Sequence, residues 1–163
     1  MKVGLGAIVS GVTTYIVTRR THSHELIKSA ISDSAALLRD GALKLEKSSS
    51  SLNNAINEYD AVVNRAGSAS ELTEALTSIL AAYNDGKDAK TLFYLIDAPK
   101  FAALLMPYLD AVEAIRVEIG RQLCQTTPNA NAIGALVPEA IRARHAILDG
   151  LGQAYKAIWS RTP

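Results

Sequence analysis

The stretch IKSAISDSAALLRDGALKLEKSSSSLNNAINEYDAVVNRA, residues 27–66, decides the fold. Its apolar and small residues recur in alternating steps of four and three. A period of roughly 3.5 residues is typical of a helix that stays against a partner helix. One set of positions is mostly large and the other mostly small, which lets a partner approach closely. The large set is Ile31, Leu38, Leu45, Leu52, Tyr59 and Ala66, and the small set is Ile27, Ser34, Gly41, Ser48, Ala55 and Val62.

This pattern predicts one long helix over residues 22–66, roughly 65 Å in length. Thr21 or Ser23 is the expected N-cap, and Gly67 is the expected stop. The serine run at 48–51 resembles a linker in composition. We place it inside the helix, because the apolar residues resume in phase after it.

The stripe on this helix has two possible partners. It can pack inside the bundle of its own chain, or it can form a coiled-coil-like seam with another chain. A helix of about 65 Å is longer than a compact bundle of 163 residues needs. Part of its length is therefore expected to be covered by another chain, a membrane or a long partner helix. The residues expected to carry association are Leu38, Leu45, Leu52 and Tyr59.

The N-terminus is apolar. Residues 3–18 carry no charge, Lys2 precedes them, and Arg19 and Arg20 follow. As a helix they would span roughly 24 Å, short of the roughly 30 Å hydrocarbon core of a bilayer. The flanking basic side chains can extend that reach by snorkelling, so a single span is possible. Because more positive charge follows the segment than precedes it, we expect the rest of the chain on the cytoplasmic side.

Small residues are spaced within this segment so that helices can approach closely. Gly6 and Ser10 are four apart, and Gly11 adjoins them. We expect these three residues to contribute to anchoring and association. Two other interpretations remain open, an apolar arm that docks into a neighbouring subunit and a local hairpin turning at Ser10 and Gly11. No small-residue cleavage site follows, which argues against a secretory signal peptide.

The remaining sequence predicts further helices. The spacing Ser68–Glu71 is that of a capping box before an apolar face that ends at 84–86, and a short helix over 88–96 follows. A heptad-like helix is predicted over 99–125, then a loop at 126–131 and a last helix from Pro138. The chain is therefore expected to be all-α: a helical bundle with one long heptad-patterned helix and an N-terminal apolar helix. We divide it into residues 1–20, the apolar segment, and 21–163, the bundle.

Composition excludes several classes of function. The 17 Lys and Arg residues nearly balance the 16 Asp and Glu residues, which argues against a nucleic-acid binder. The single cysteine, Cys124, excludes a disulfide within the chain and is expected to be buried and inert.

His22 and His24 would point apart on a helix, which argues against a shared metal ion. His145 and Asp149 can pair on one helix face, but no nucleophile is linked to them.

These observations predict a non-enzymatic structural or assembly protein with no cofactor and no metal. Its N-terminus would anchor it in a membrane, and its long helix would mediate homo-oligomerisation. One alternative is a soluble subunit of a large helical or capsid-like assembly, with residues 3–18 docked into a neighbouring subunit. Another is a membrane-perturbing or pore-forming protein whose N-terminal helix inserts on oligomerisation.

Overall fold

The computed structural model describes the backbone of residues 4–129 and 131–159. Side chains are described from Glu25 onward, except those at 26–27, 97–99, 102 and 158–159. Helix α1 runs over Gly4–Asn64, a 3-10 helix over Ala69–Leu72, α2 over Thr73–Gln122 and α3 over Val137–Trp159. The described backbone contains no β-strand, so the predicted all-α bundle is confirmed.

The long helix begins earlier than the sequence analysis predicts. We expected a start at Thr21 or Ser23, but α1 is continuous from Gly4. The stretch 18–24 contains no glycine or proline, so nothing interrupts the backbone hydrogen bonds there. The predicted continuity through the serine run 48–51 is confirmed.

Helix α1 stops through a Schellman motif. The amide of Gly67 donates to the carbonyl of Val62 at 2.8 Å, and the amide of Ala66 donates to that of Val63 at 3.0 Å. Ala66 occupies the left-handed position with φ of 50°. The predicted stop at Gly67 is therefore wrong by one residue, because the left-handed conformation falls on the alanine before the glycine.

Helix α2 folds back on itself. The Nζ of Lys90 lies 3.3 Å from the Sδ of Met106, whereas sixteen residues of straight helix would separate them by roughly 24 Å. The rings of Phe93 and Phe101 stack with centroids 5.2 Å apart. The helix therefore reverses between these rings, and we call its halves α2a (73–96) and α2b (100–122).

The predicted break at 84–86 is wrong, since α2a continues through it. Gly86 is buried here, and a Cβ at this position would lie 2.8 Å from the Cδ2 of Leu109 and 3.3 Å from the Oγ of Ser48. This glycine therefore lets α1 and α2b approach α2a closely, and it does not end a helix.

Helix α3 starts one residue before the predicted Pro138, and residues 123–136 form the connection that leads to it. The connection is fastened to the helices at two points. The hydroxyl of Tyr59 donates to the carbonyl of Asn129 at 2.6 Å, and the amide of Asn129 donates to the Oε1 of Gln122 at 2.8 Å.

The chain divides into two compact units, residues 1–36 and residues 37–163. In the first unit, Lys28, Ser29 and Ala30 of α1 are exposed and Ile31 is half-buried. The second unit contains a hydrophobic core formed by α1, α2 and α3. All members of the stripe from 38 to 62 are buried in it: Leu38, Gly41, Leu45, Ser48, Leu52, Ala55, Tyr59 and Val62. The boundary predicted at residue 20 stays a prediction based on composition.

Candidate association surface

The stripe on α1 faces several parts of its own chain. The buried hydroxyl of Ser48 donates to the carbonyl of Ala82 in α2a at 2.6 Å and lies 2.9 Å from the hydroxyl of Tyr108 in α2b. Burial raises the pKa of Tyr108 despite this hydrogen bond. This contact packs α1 against α2b, the other helix with heptad-like spacing. The stripe is therefore a face of the bundle, and the side chains that the structure describes do not show a coiled coil.

Ion pairs at the edge of the core hold α1 against α2a. The Nζ of Lys44 lies 2.8 Å from a carboxylate oxygen of Asp88 and 3.4 Å from one of Asp85. Lys47 approaches Asp85 to 4.0 Å. The hydrogen bond to Asp88 and, to a smaller extent, the hydrogen bond to Asp85 raise the pKa of Lys44. Because these side chains are partly exposed, we regard them as fixing the alignment of the helices more than as a source of stability.

The predicted association residues of α1 lie inside the second unit. Leu38, Leu45, Leu52 and Tyr59 are at most 4% exposed. A second chain would reach them only by displacing the helices that cover them. Gly6, Ser10 and Gly11 belong to the helical backbone of α1 and lie outside the residues whose side chains the structure describes.

An apolar groove opens between α1 and α3, and we call it the α1–α3 groove. Its volume is about 320 Å³, and its lining consists of Arg39, Ala42, Leu43, Leu45, Glu46, Arg144 and Leu148. Leu43 is 57% exposed and Leu148 is 46% exposed. Leu43 lies off the stripe of α1 and is not among the association residues predicted from the sequence. A large apolar residue off the core-facing stripe was the signal that could have found it.

A second groove lies between the halves of α2. It encloses about 460 Å³, and Lys87 and Lys90 lie 5.5 Å and 5.7 Å from the ring centroids of Tyr83 and Tyr94. Asp88, Asp110 and Glu113 line the same groove, so both signs of charge are represented. The adjacent Arg116 donates to Glu113 at 2.6 Å, which lowers the pKa of this carboxyl. This groove therefore presents no concentrated charge to a ligand.

The candidate chemical groups of the sequence do not converge. His145 and Asp149 are both exposed and form no ion pair with each other. The prediction that Cys124 is buried is wrong, because its thiol is exposed beside the C-terminal end of α2. Among the side chains that the structure describes, no three His, Cys, Asp or Glu residues are placed to hold a metal ion. His22 and His24 lie outside those side chains.

A search of the described residues finds no helix with both the length and the apolar character needed to cross a bilayer. Comparisons of the chain with protein-family models, with curated proteins and with solved structures find no match.

Proposed function

We propose that this chain is a non-enzymatic structural protein that attaches to a membrane through its N-terminal apolar helix and associates with further copies of itself. The observation that carries the proposal is the uncharged stretch of residues 3–18, which lies between Lys2 and the pair Arg19–Arg20. Such a surface is costly to expose to water, and it belongs to the same helix, α1, that supplies one face of the bundle core.

The length and the flanks of the segment determine how it would attach. At roughly 24 Å it is shorter than the hydrocarbon core, so its basic flanks would reach the headgroups by snorkelling or by local thinning of the bilayer. The excess of positive charge after the segment places the bundle on the cytoplasmic side in this proposal. Small residues at Gly6, Ser10 and Gly11 would allow two such helices to approach each other in lipid.

Liposome flotation of the full chain tests the attachment. We compare the unaltered chain with Val9→Arg, which places a charge in the middle of the segment, and with Ala30→Arg as the matched control. Ala30 is an exposed residue of the same helix. An arginine at the centre of an inserted helix costs about 3 kcal/mol, which corresponds to a loss of binding on the order of 100-fold.

We expect the unaltered chain and Ala30→Arg to float with liposomes and to resist carbonate extraction, and Val9→Arg to remain in the soluble fraction. A chain that stays soluble and assembles without lipid would refute membrane attachment and favour the docking of residues 3–18 into a neighbouring subunit. Release of a trapped dye from the same liposomes would instead indicate a membrane-perturbing protein.

A further inference from the structure

The α1–α3 groove is an exposed apolar surface that the chain's own packing leaves open. Leu43 of α1 and Leu148 of α3 line it together, and both are about half exposed. Ile141, 43% exposed, lies seven residues before Leu148 and therefore on nearly the same side of α3. Single exposed apolar residues are ordinary, but large ones gathered along a groove are typical of an interaction surface.

The charges around the groove decide which partner fits. Glu46 and Arg144 both line it, yet neither forms an ion pair with any side chain that the structure describes. Among the described side chains, Arg39 pairs only with its neighbour Asp40, at 3.2 Å on the exposed surface. The groove thus presents an acid and a base on opposite helices. An anionic lipid surface would be recognised by basic side chains alone. An acid and a base on opposite helices are instead complementary to the same two side chains on a second copy of the chain.

We propose that a second copy of this chain docks on the α1–α3 groove around a two-fold axis. In a two-fold interface each contact between residues i and j occurs twice. Leu43 and Leu148 of each copy then cover the same pair on the other, and Glu46 of each copy faces Arg144 of its partner. The inference rests on the proposed self-association and assigns it to a surface that is accessible in the folded chain, in place of the buried stripe.

Sedimentation equilibrium of the full chain in density-matched detergent tests the apolar part of this interface. Leu43→Asp and Leu148→Asp are expected to raise the dissociation constant at least about 10-fold, because each buries a charge twice per dimer. The matched control is Val117→Asp on α2b. Val117 is 56% exposed and does not line the groove, so its substitution is expected to leave the constant unchanged. Circular dichroism verifies that each variant is folded.

Charge reversal provides a second test that leaves the apolar residues intact. Glu46→Arg and Arg144→Glu, each alone, place like charges opposite one another and are expected to weaken the dimer several-fold. The double variant restores the opposite-charge pair across the axis and is expected to return the dissociation constant to within about 3-fold of the unaltered value. Weakening by both single variants without recovery in the double variant would overturn the proposed pairing.

The outcomes separate this inference from the proposed function. A chain that is dimeric and remains so in Leu43→Asp, Leu148→Asp and the charge variants associates through another surface, which overturns the inference alone. A chain that is monomeric at every concentration refutes the inference and the proposed self-association together. Liposome flotation of the same variants, after removal of the detergent, then determines whether membrane attachment persists independently.

Discussion

Substituting Gly41 by alanine tests how closely α1 packs against α2a. A Cβ at this position would lie 2.8 Å from the Cδ1 and Cζ of Phe93 and closer still to its Cε1. Carbon atoms in contact normally keep about 3.5–4.0 Å apart, so the ring or the helix must move by more than about 0.7 Å. The ring has little freedom to move, because Phe93 is fully buried and stacked on Phe101.

Two effects compete in this variant. Alanine is favoured over glycine in a helix by about 1 kcal/mol, whereas overpacking of a filled core costs typically 1–3 kcal/mol. Since the overlap involves three ring atoms, we place the clash near the upper end and expect a net loss of about 2 kcal/mol. Gly152→Ala is the matched control, because Gly152 lies within α3 and a Cβ there meets nothing within 4 Å. It should gain about 1 kcal/mol.

Urea unfolding followed by circular dichroism at 222 nm measures both variants. The double variant Gly41→Ala/Phe93→Leu removes part of the ring that the new methyl group meets, so the two substitutions should cost less together than the sum of their separate costs. If Gly41→Ala stabilised the protein as much as Gly152→Ala does, the close approach of α1 to α2a would be refuted.

Three further predictions concern the stability of the bundle. Leu45→Ala, at a side chain only 1% exposed, should cost about 2–5 kcal/mol in urea unfolding, against less than about 1 kcal/mol for Leu95→Ala, at a side chain 69% exposed. Ala66→Gly should raise the free energy of unfolding by up to about 1 kcal/mol, because it relieves the left-handed alanine. The hydrogen bond from Arg121 lowers the pKa of Glu118 from its usual 4.5. The stabilisation of the fold by the ionised Glu118 carboxylate is therefore complete above pH 4.5 and is lost as the pH falls through the lowered pKa. In Glu118→Gln the urea midpoint should therefore decrease less steeply with falling pH below 4.5.

Periodicity alone predicted the core-facing side of α1. The alternation of steps of four and three placed Leu38, Leu45, Leu52 and Tyr59 on one buried face, because residues at that spacing share a side of a helix. The same spacing did not reveal which chain covers that face. A stripe that packs inside its own bundle and one that packs against another chain have the same sequence signature.

The helix boundaries were predicted less well, for reasons that are local. Gly86 follows two turn-forming residues, which predicts a helix stop, yet it lies inside α2a where α1 and α2b approach closely. The left-handed residue that ends α1 is Ala66. The usual preference for glycine at this position would instead place the left-handed conformation at the next residue, Gly67. At Gly86, packing between distant segments outweighs the local preference, and such packing is not visible in a single sequence.

The α1–α3 groove could not be found from the pattern of either helix taken alone. Leu148 belongs to the apolar side of α3 in the sequence, where it resembles a core residue. Its partial exposure and its position beside Leu43 depend on how α1 and α3 lie against each other in the second unit. Only the tertiary arrangement brings the two leucines to one surface.

The central claim is that the uncharged N-terminal segment resides in lipid. A fluorescent probe on Val12→Cys, in a chain whose single native thiol is removed by Cys124→Ser, reports on this directly in liposomes. We predict that nitroxide-labelled lipid quenches the probe while aqueous iodide does not, and that a probe on Val117→Cys, at an exposed residue outside the α1–α3 groove, shows the reverse. Strong quenching of the probe at residue 12 by iodide, with none by the labelled lipid, would contradict the account.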